Sequence, residues 1–327
     1  MADKFQSSYI EMDKLSLQGE PFIFMIDFLG ERIRVIPNDE IQNAGVLIDF
    51  PNFQTKYEAI SESSFKKFAI ESYPEKVDVF KKGFDNVQKH LNLGNSYLAN
   101  YTCKTLINMN YTLQEVFAAS KAKYKVLLDE EYVCFSPETF VEIKENRIST
   151  YPMKGTIDAS IENAEQILRE DKKEKAEHYT VVDLLRNDLS MVADMVEVEE
   201  FQRIDFIKSN QKELLAMSSK ITGNLKPEFI GKVGSVMEKL LPAGSILGAP
   251  KPKTMDIILE SERYPRGWYT GIAGYFDGKD MDSCVLIRFI EKNDQGFFFR
   301  SGGGITHQSK LQDEFQEMKN KIYVPIY

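Results

Sequence analysis

Short apolar runs and charged stretches alternate along this chain without a regular strand–helix–strand repeat. Segment 20–50 is typical, because its apolar runs are separated by the turn residues Gly30, Pro37-Asn38 and Gly45. Segment 160–192 predicts one long helix, since it is rich in Glu, Lys, Leu and Ala. This irregular mixture predicts an α+β fold with mostly antiparallel sheets, because parallel strands need regular crossover helices.

The same patterns predict the remaining elements. A capping-box sequence at Thr112-Leu-Gln-Glu115 marks the start of a helix. Pro and Gly residues in segment 242–252 favour a loop. Further strands are predicted at 96–107, 125–134, 139–143, 147–151, 271–276, 284–291 and 296–300, and further helices at 54–92, 229–241, 253–262 and 311–322.

Composition restricts the class of partner. The 327 residues are 43% hydrophobic and 28% charged, so a sizeable core is possible and global disorder is excluded. There are 41 Lys and Arg against 50 Asp and Glu, which gives a net charge of −9. We therefore expect neither nucleic acid nor an anionic membrane as the main partner, although a local pocket can still bind an anionic substrate.

The distribution of cysteines and apolar residues bears on location. Cys103, Cys134 and Cys284 are scattered and lack the CxxC spacing of a zinc site, which favours a reducing compartment. The first residues lack the apolar core of a secretory signal. No apolar run approaches the ~20 residues needed to span a bilayer. These features predict a cytoplasmic protein without a membrane segment.

Three glutamates are candidates for binding a cation. Glu177 lies within a predicted helix, and Glu314 and Glu317 are three residues apart on the last helix, so they share a face. Mg²⁺ prefers one or two carboxylates together with water and an anionic ligand. The spacing also fits an ordinary solvated helix, since Glu317 and Lys321 form an i,i+4 pair. Both interpretations stay open on spacing alone.

Lys154 is a candidate nucleophile at the end of a predicted strand. A lysine amine reacts only when deprotonated, and its reference pKa of about 10.4 would have to fall by ~3 units, or about 4 kcal/mol. The alternative is a surface lysine before the turn at Gly155.

A glycine run and an arginine are candidates for binding an anion. Gly302–Gly304 would let backbone N–H groups approach a carboxylate closely, and Arg288 lies on an otherwise apolar strand, where it needs a carboxylate partner. The glycine run lacks nucleotide-binding spacing and could also be a mobile turn. With only His90, His178 and His307, a Ser-His-Asp or multi-histidine metal site is not expected.

The order of several motifs resembles that of the chorismate-utilising enzymes, which include anthranilate, aminodeoxychorismate, isochorismate and salicylate synthases. The resemblance covers about residues 94–322. The blocks that carry it are Ser136-Pro-Glu-Thr-Phe140, Pro152-Met-Lys-Gly-Thr156, Ala176-Glu-His178 with Val182–Leu189, Pro242–Lys251, Arg266–Gly271, Ile287-Arg288, and Gly302–Ile305 before Glu314-Phe-Gln-Glu317 and Lys321.

This resemblance implies a fold of two roughly orthogonal antiparallel sheets flanked by helices, with the active site in the cleft between them. Residues 94–327 would form the chorismate-binding catalytic domain. Residues 1–93 would be a shortened N-terminal region of the same globular unit, in which we expect no tryptophan-binding regulatory site.

The resemblance also implies roles for matched residues. Lys154 would be the nucleophile and Glu138 the general acid that protonates the departing C4 hydroxyl. The residues expected to bind Mg²⁺ are Glu177, Glu314 and Glu317. The residues expected to contact chorismate are Gly155, Thr156, Tyr269, Arg288, Gly303, Gly304 and Lys321.

Three positions distinguish the branches of the family. Isochorismate and salicylate synthases carry a water-activating lysine where this chain has Leu98. Aminodeoxychorismate synthases resemble this chain in carrying lysine at the position of Lys154, whereas anthranilate synthases usually carry alanine. Ala216 replaces a histidine associated with pyruvate elimination in anthranilate synthases.

The resemblance is thus strongest to aminodeoxychorismate synthase component I, which acts in 4-aminobenzoate and folate synthesis. It would receive ammonia from a separate glutamine amidotransferase subunit and add it to chorismate through a covalent lysine adduct. The alternatives are anthranilate synthase component I and a catalytically silent chorismate-binding paralogue, the latter suggested by Leu247 in place of the usual threonine.

Overall fold

The computed structural model describes residues 2–57, 67–208 and 213–326. The chain divides into two compact units, each assembled from three segments. Each unit contains one nine-stranded antiparallel sheet and its own helices, which confirms the predicted fold class. The first unit comprises Met1–Asn38, Glu138–Ser245 and Ile272–Val285, and the second comprises Asp39–Pro137, Ile246–Gly271 and Leu286–Tyr327.

The strands of the first unit are β1 (Phe22–Ile26), β2 (Ile33–Pro37), β9 (Thr139–Lys144), β10 (Arg147–Thr150), β11 (Met153–Asp158), β12 (Ala193–Lys208), β13 (Glu213–Leu225), β15 (Ile272–Phe276) and β16 (Met281–Val285). Its helices are α1 (Ala2–Gln18), α4 (Ala164–Glu170), α5 (Lys172–Ser190) and α6 (Val233–Leu240). The strand order is β11-β13-β10-β9-β16-β15-β1-β2, and β12 pairs with β13.

An entirely apolar strand lies near one end of this sheet. All five residues of β1 are buried, and β1 pairs with β15 on one side and β2 on the other. Gly274 in β15 lies opposite Phe24, where an added Cβ would stand 2.2 Å from the phenyl ring. At the opposite end of the sheet, α5 packs against β11, β12 and β13.

The strands of the second unit are β3 (Val46–Phe50), β4 (Phe53–Gln54), β5 (Ile70–Tyr73), β6 (Leu98–Met109), β7 (Tyr124–Leu128), β8 (Tyr132–Ser136), β14 (Gly248–Ala249), β17 (Phe289–Asn293) and β18 (Gly296–Ile305). Its helices are α2 (Val77–Asn92), α3 (Leu113–Ala119), α8 (Lys251–Ser261) and α9 (Leu311–Asn320). The order is β14-β6-β18-β17-β8-β7-β3-β4, and β5 pairs with β6. A four-residue helix, α7 (Gly244–Leu247), spans the boundary between the two units.

Two apolar clusters stabilise the second unit. One, around Phe117 and Phe299, packs α3 against the sheet. The other, around Phe80 and Tyr101, packs α2 against β6 and β18 and includes Met318 of α9. The predicted capping box at α3 is present, since Thr112 accepts a hydrogen bond from the Glu115 amide and Glu115 accepts one from the Thr112 amide.

Several predicted elements have different boundaries. The predicted strand 284–291 is wrong, because β16 and β17 belong to different sheets. The predicted helix 160–192 is two helices, since the backbone at Asp171 is extended. Of the predicted helix 54–92, α2 is helical, β5 is a strand and residues 58–66 lie outside the described residues. Gly302–Gly304 lie within β18 rather than in a turn.

Candidate active site

Lys154 is the second residue of β11 and is half-buried. It pairs with Met217 in β13, whereas Thr156 pairs with Ala216, so Gly155 forms a bulge between them. Ala216, where the resemblance gives anthranilate synthases a histidine, is fully buried and adjacent to this bulge. A bulge next to a functional residue commonly redirects its side chain.

Gly155 permits the bulge because its φ is +74°, a conformation that L-residues rarely adopt. An added Cβ would lie 3.0 Å from Leu168 Cδ1 and 3.1 Å from Glu174 Oε2. The absence of a side chain at this position therefore lets α4 and α5 approach the strand that carries Lys154.

His178, which belongs to α5, lies near Lys154 of β11. Its imidazole is fully buried, and its Nε2 is 2.7 Å from Ser219 Oγ. Burial lowers the pKa of His178 to about 4, and the positive charge of Lys154 acts in the same direction. The Lys154 ammonium is therefore close enough to act on this imidazole electrostatically. Glu177, the preceding residue on this helix, is half-buried.

Glu138 immediately precedes β9, and its side chain is half-buried. Ser245 Oγ donates a hydrogen bond to Glu138 Oε1 at 2.8 Å, and the Val285 amide donates to the Glu138 backbone oxygen at 3.1 Å. Hydrogen bonds thus fix both the carboxyl group and the backbone carbonyl of Glu138. Sequence reasoning missed the role of Ser245, although Ser245 lies within the motif at 242–251.

In the second unit, two carboxylates converge on the glycine run of β18. An added Cβ at Gly303 would lie 3.4 Å from Glu317 Oε1 and 3.6 Å from Glu314 Oε2. Glu314 is buried and accepts a hydrogen bond from Ser309 Oγ at 2.6 Å, whereas Glu317 is more exposed. The predicted shared face of Glu314 and Glu317 is therefore present in α9.

Lys321 follows α9 and connects this helix to the glycine run. Its Nζ donates to the Gly302 carbonyl at 2.7 Å and lies 2.7 Å from Glu317 Oε1. A half-buried ammonium that already holds one carboxylate is suitable for binding a second, anionic group. Gly303 and Gly304 pair with Tyr101 and Asn100 of β6.

The carboxylates near Gly303 have the donor chemistry that Mg²⁺ requires. Two oxygen ligands from the protein, completed by water and an anionic ligand, are typical of magnesium sites. Across the described ranges, no three His, Cys, Asp or Glu side chains are grouped closely enough to hold a metal ion by themselves. Glu314 and Glu317 therefore fit a metal that shares its coordination with a bound anion.

Tyr269 lies in the turn after α8 and is 3% exposed. Burial raises its pKa, an effect opposed by the positive charges of Arg266, Arg300 and Arg288. The phenol therefore stays protonated and can donate a hydrogen bond near three guanidinium groups. Arg300 was not predicted, although it precedes the glycine run on an apolar strand, the same signal that indicated Arg288.

Arg288 has a left-handed backbone conformation, with φ +55°. Its carbonyl accepts a hydrogen bond from the Phe135 amide at 3.0 Å, and its guanidinium lies 5.1 Å from the Tyr323 ring centroid. Its Nε is buried without a hydrogen-bond partner among the described residues. Strain of this kind in a non-glycine residue persists where surrounding structure enforces it, often at functional sites.

Leu98 opens β6 and is buried, pairing with Ala249 of β14. An aliphatic side chain cannot accept a proton from water, so this position lacks the base that the resemblance gives to isochorismate synthases.

A family model of chorismate binding enzymes matches residues 35–326. The chain belongs to this family. This chorismate-binding enzyme is 46% identical over 309 residues to an uncharacterized PabA-like protein of Pasteurella multocida, covering 94% of this chain and 95% of the relative. It is 43% identical over 327 residues to an uncharacterized PabA-like protein of Haemophilus influenzae, covering 100% and 99%.

The fold is also shared with a solved structure. The menaquinone-specific isochorismate synthase MenF of Escherichia coli superimposes with a TM-score of 0.72 at 17% identity, covering 98% of this chain and 81% of that one. At this identity the likeness concerns the fold alone. Within the described part of this enzyme, no helix is both long and apolar enough to span a membrane.

Proposed function

We propose that this chorismate-binding enzyme is aminodeoxychorismate synthase component I. The observation that supports this most is the placement of Lys154, which is half-buried in a strand bulge beside the uncharged His178 of α5. An amine in such a setting is suited to nucleophilic catalysis once it has lost its proton. Leu98 and Ala216 agree with this branch, because neither supplies a base for water activation or pyruvate elimination.

In the first step, the Lys154 amine adds to C2 of chorismate. The C1–C2 double bond shifts to C1–C6, the C5–C6 double bond shifts to C4–C5, and the C4 hydroxyl leaves. Glu138 would donate the proton that converts the departing hydroxyl to water, as general acid. Ser245 would keep the Glu138 carboxyl group oriented for this transfer.

In the second step, ammonia adds to C4, the double bonds return, and the bond between Lys154 and C2 breaks. The product is 4-amino-4-deoxychorismate, which retains its enolpyruvyl ether. The ammonia would come from a separate glutamine amidotransferase subunit, and free ammonium would replace that subunit in vitro.

The family resemblance implies roles for further residues in binding the substrate. Tyr269, Arg288 and Lys321, with the Gly303–Gly304 backbone, would hold its carboxylates, while Gly155 and Thr156 would line the pocket near the amine. Glu314 and Glu317 would hold Mg²⁺, which when bound would supply positive charge for the ring carboxylate. Lys321 already pairs with Glu317 at 2.7 Å, which would keep both charged groups oriented.

The test is incubation of the enzyme with chorismate, Mg²⁺ and ammonium, with the products resolved by mass. The proposal expects aminodeoxychorismate and no released pyruvate. Anthranilate together with pyruvate would identify the alternative synthase. Mg²⁺-dependent binding of chorismate without consumption would identify a silent paralogue, and either result would overturn the proposal.

A further inference from the structure

Arg300 is a buried arginine for which the proposed reaction has no role. It lies in β18 two residues before the glycine run, and its side chain is only 1% exposed. A buried guanidinium is destabilising unless hydrogen bonds or charges compensate it, so its partners indicate what it does.

Besides Glu291 in β17, its partners lie in the turn after α8. The Arg300 Nη2 donates to the carbonyl oxygens of Pro265 at 2.6 Å and Arg266 at 3.1 Å. Its Cζ lies 4.7 Å from the ring centroid of Tyr264 and 5.6 Å from that of Tyr269. One guanidinium therefore contacts both the backbone of this turn and the two tyrosine rings within it.

The turn also carries a substrate-binding candidate. Tyr269 is 3% exposed, and its amide donates to the Arg266 carbonyl at 3.1 Å, the same oxygen that Arg300 binds. A shift of Arg300 would therefore displace the Arg266 carbonyl that accepts from the Tyr269 amide. It would also remove the guanidinium from one face of the Tyr269 ring.

We propose that Arg300 is a positioning residue, which sets the orientation of Tyr269 toward the anionic substrate. The effect of Arg300 on substrate binding rests on the proposed function. Its role in fixing the conformation of the turn after α8 does not. A lysine cannot replace this arginine, because an ammonium lacks the planar donors that reach two carbonyls while stacking on rings.

Lys104 provides a matched control. It pairs with Arg300 across β6 and β18, and its Nζ lies 2.6 Å from Glu291 Oε1, while Arg300 Nε lies 3.4 Å from Glu291 Oε2. The variant Lys104→Met removes a neighbouring cation that shares Glu291 but leaves the contacts of Arg300 with the turn in place.

The first measurement needs no substrate. Amide hydrogen exchange of segment 264–271 is compared in the wild-type protein, Arg300→Lys, Arg300→Gln and Lys104→Met. The proposal expects faster exchange of the Tyr269 and Gly271 amides in both Arg300 variants and unchanged exchange in Lys104→Met. Unchanged exchange in the Arg300 variants would show that Arg300 does not stabilise the turn.

The second measurement is a double-mutant cycle on the dissociation constant for chorismate. We expect Arg300→Lys to weaken binding about tenfold in the wild-type background and less than about twofold in Tyr269→Phe, since its effect passes through the phenol. Equal losses in both backgrounds would show that Arg300 acts independently of Tyr269 and would overturn the positioning role.

The two measurements separate this inference from the proposed function. If the wild-type protein binds chorismate but forms another product, the proposed function is wrong and the cycle still decides the role of Arg300. If the wild-type protein does not bind chorismate, the substrate-binding half of the inference is overturned as well, and hydrogen exchange decides whether Arg300 holds the turn.

Discussion

Ser245 holds the carboxyl group of Glu138 through a hydrogen bond of 2.8 Å, although the two residues are far apart in sequence. The variant Ser245→Ala removes this bond without adding bulk. If Glu138 is the general acid, its misorientation should lower kcat about tenfold and change KM little, because proton transfer depends on geometry. Steady-state kinetics check this, with Ser190→Ala as the control, since the Ser190 hydroxyl donates to the Arg186 carbonyl within its own helix. An unchanged kcat would remove Ser245 from the mechanism.

The buried imidazole of His178 makes stability depend on pH. Its pKa is lowered from 6.5 to about 4 in the folded protein, so the unfolded chain takes up the proton first as the pH falls. Above pH 6.5, His178 therefore does not reduce the free energy of unfolding. As the pH falls toward 4, the free energy of unfolding declines because of this residue, by about 3 kcal/mol in total.

Urea unfolding at several pH values checks this prediction. The variant His178→Gln should lose less stability between pH 6.5 and 4 than the wild-type protein does. His307→Gln is the control, because His307 is exposed. Parallel pH profiles for the wild-type protein and His178→Gln would contradict the prediction.

Gly155 and Gly94 form a matched pair for testing the close approach at the Lys154 bulge. Both have positive φ, +74° and +72°, but an added Cβ at Gly94 meets nothing within 4 Å. Both alanine variants should carry the backbone strain of about 1 kcal/mol. Gly155→Ala should lose roughly 1–3 kcal/mol more, because its Cβ would press against Leu168 and Glu174. Equal losses in denaturant unfolding would contradict the steric argument.

The two carboxylates near Gly303 predict a dependence on Mg²⁺. The variant Glu317→Gln should raise the Mg²⁺ concentration required for activity at least tenfold, since it removes an anionic oxygen ligand. Asp313→Asn is the control, because Asp313 is exposed on the same helix. Activity is measured across a Mg²⁺ titration after treatment with a chelator. Full activity of Glu317→Gln without added metal would exclude Glu317 as a Mg²⁺ ligand.

Local sequence signals predicted much of the fold and of the candidate site. The capping box at Thr112 depends on residues three apart, and the common face of Glu314 and Glu317 follows from helical periodicity. Local patterns did not predict the pairing of β12 with β13, because β12 carries many charged residues and has three register shifts that disturb alternation.

Long-range contacts and backbone strain could not be predicted from spacing. Arg300 acquires its partners at Pro265 and Arg266 only when β18 and the turn after α8 are brought together by folding. Likewise, no local sequence rule predicts a positive φ for Arg288, since that conformation is imposed by the surrounding structure. The family resemblance assigned a role to Arg288, but it could not predict this backbone conformation.

The most direct test of the proposed chemistry is to look for the bond between Lys154 and the substrate. The enzyme is mixed with chorismate and Mg²⁺ without ammonium, quenched, digested and examined by mass spectrometry. The account predicts that the peptide containing Lys154 gains the mass of chorismate less one water, and that added ammonium removes this adduct as aminodeoxychorismate forms. Amination of chorismate at a normal rate by Lys154→Ala, with no adduct on the wild-type peptide, would contradict it.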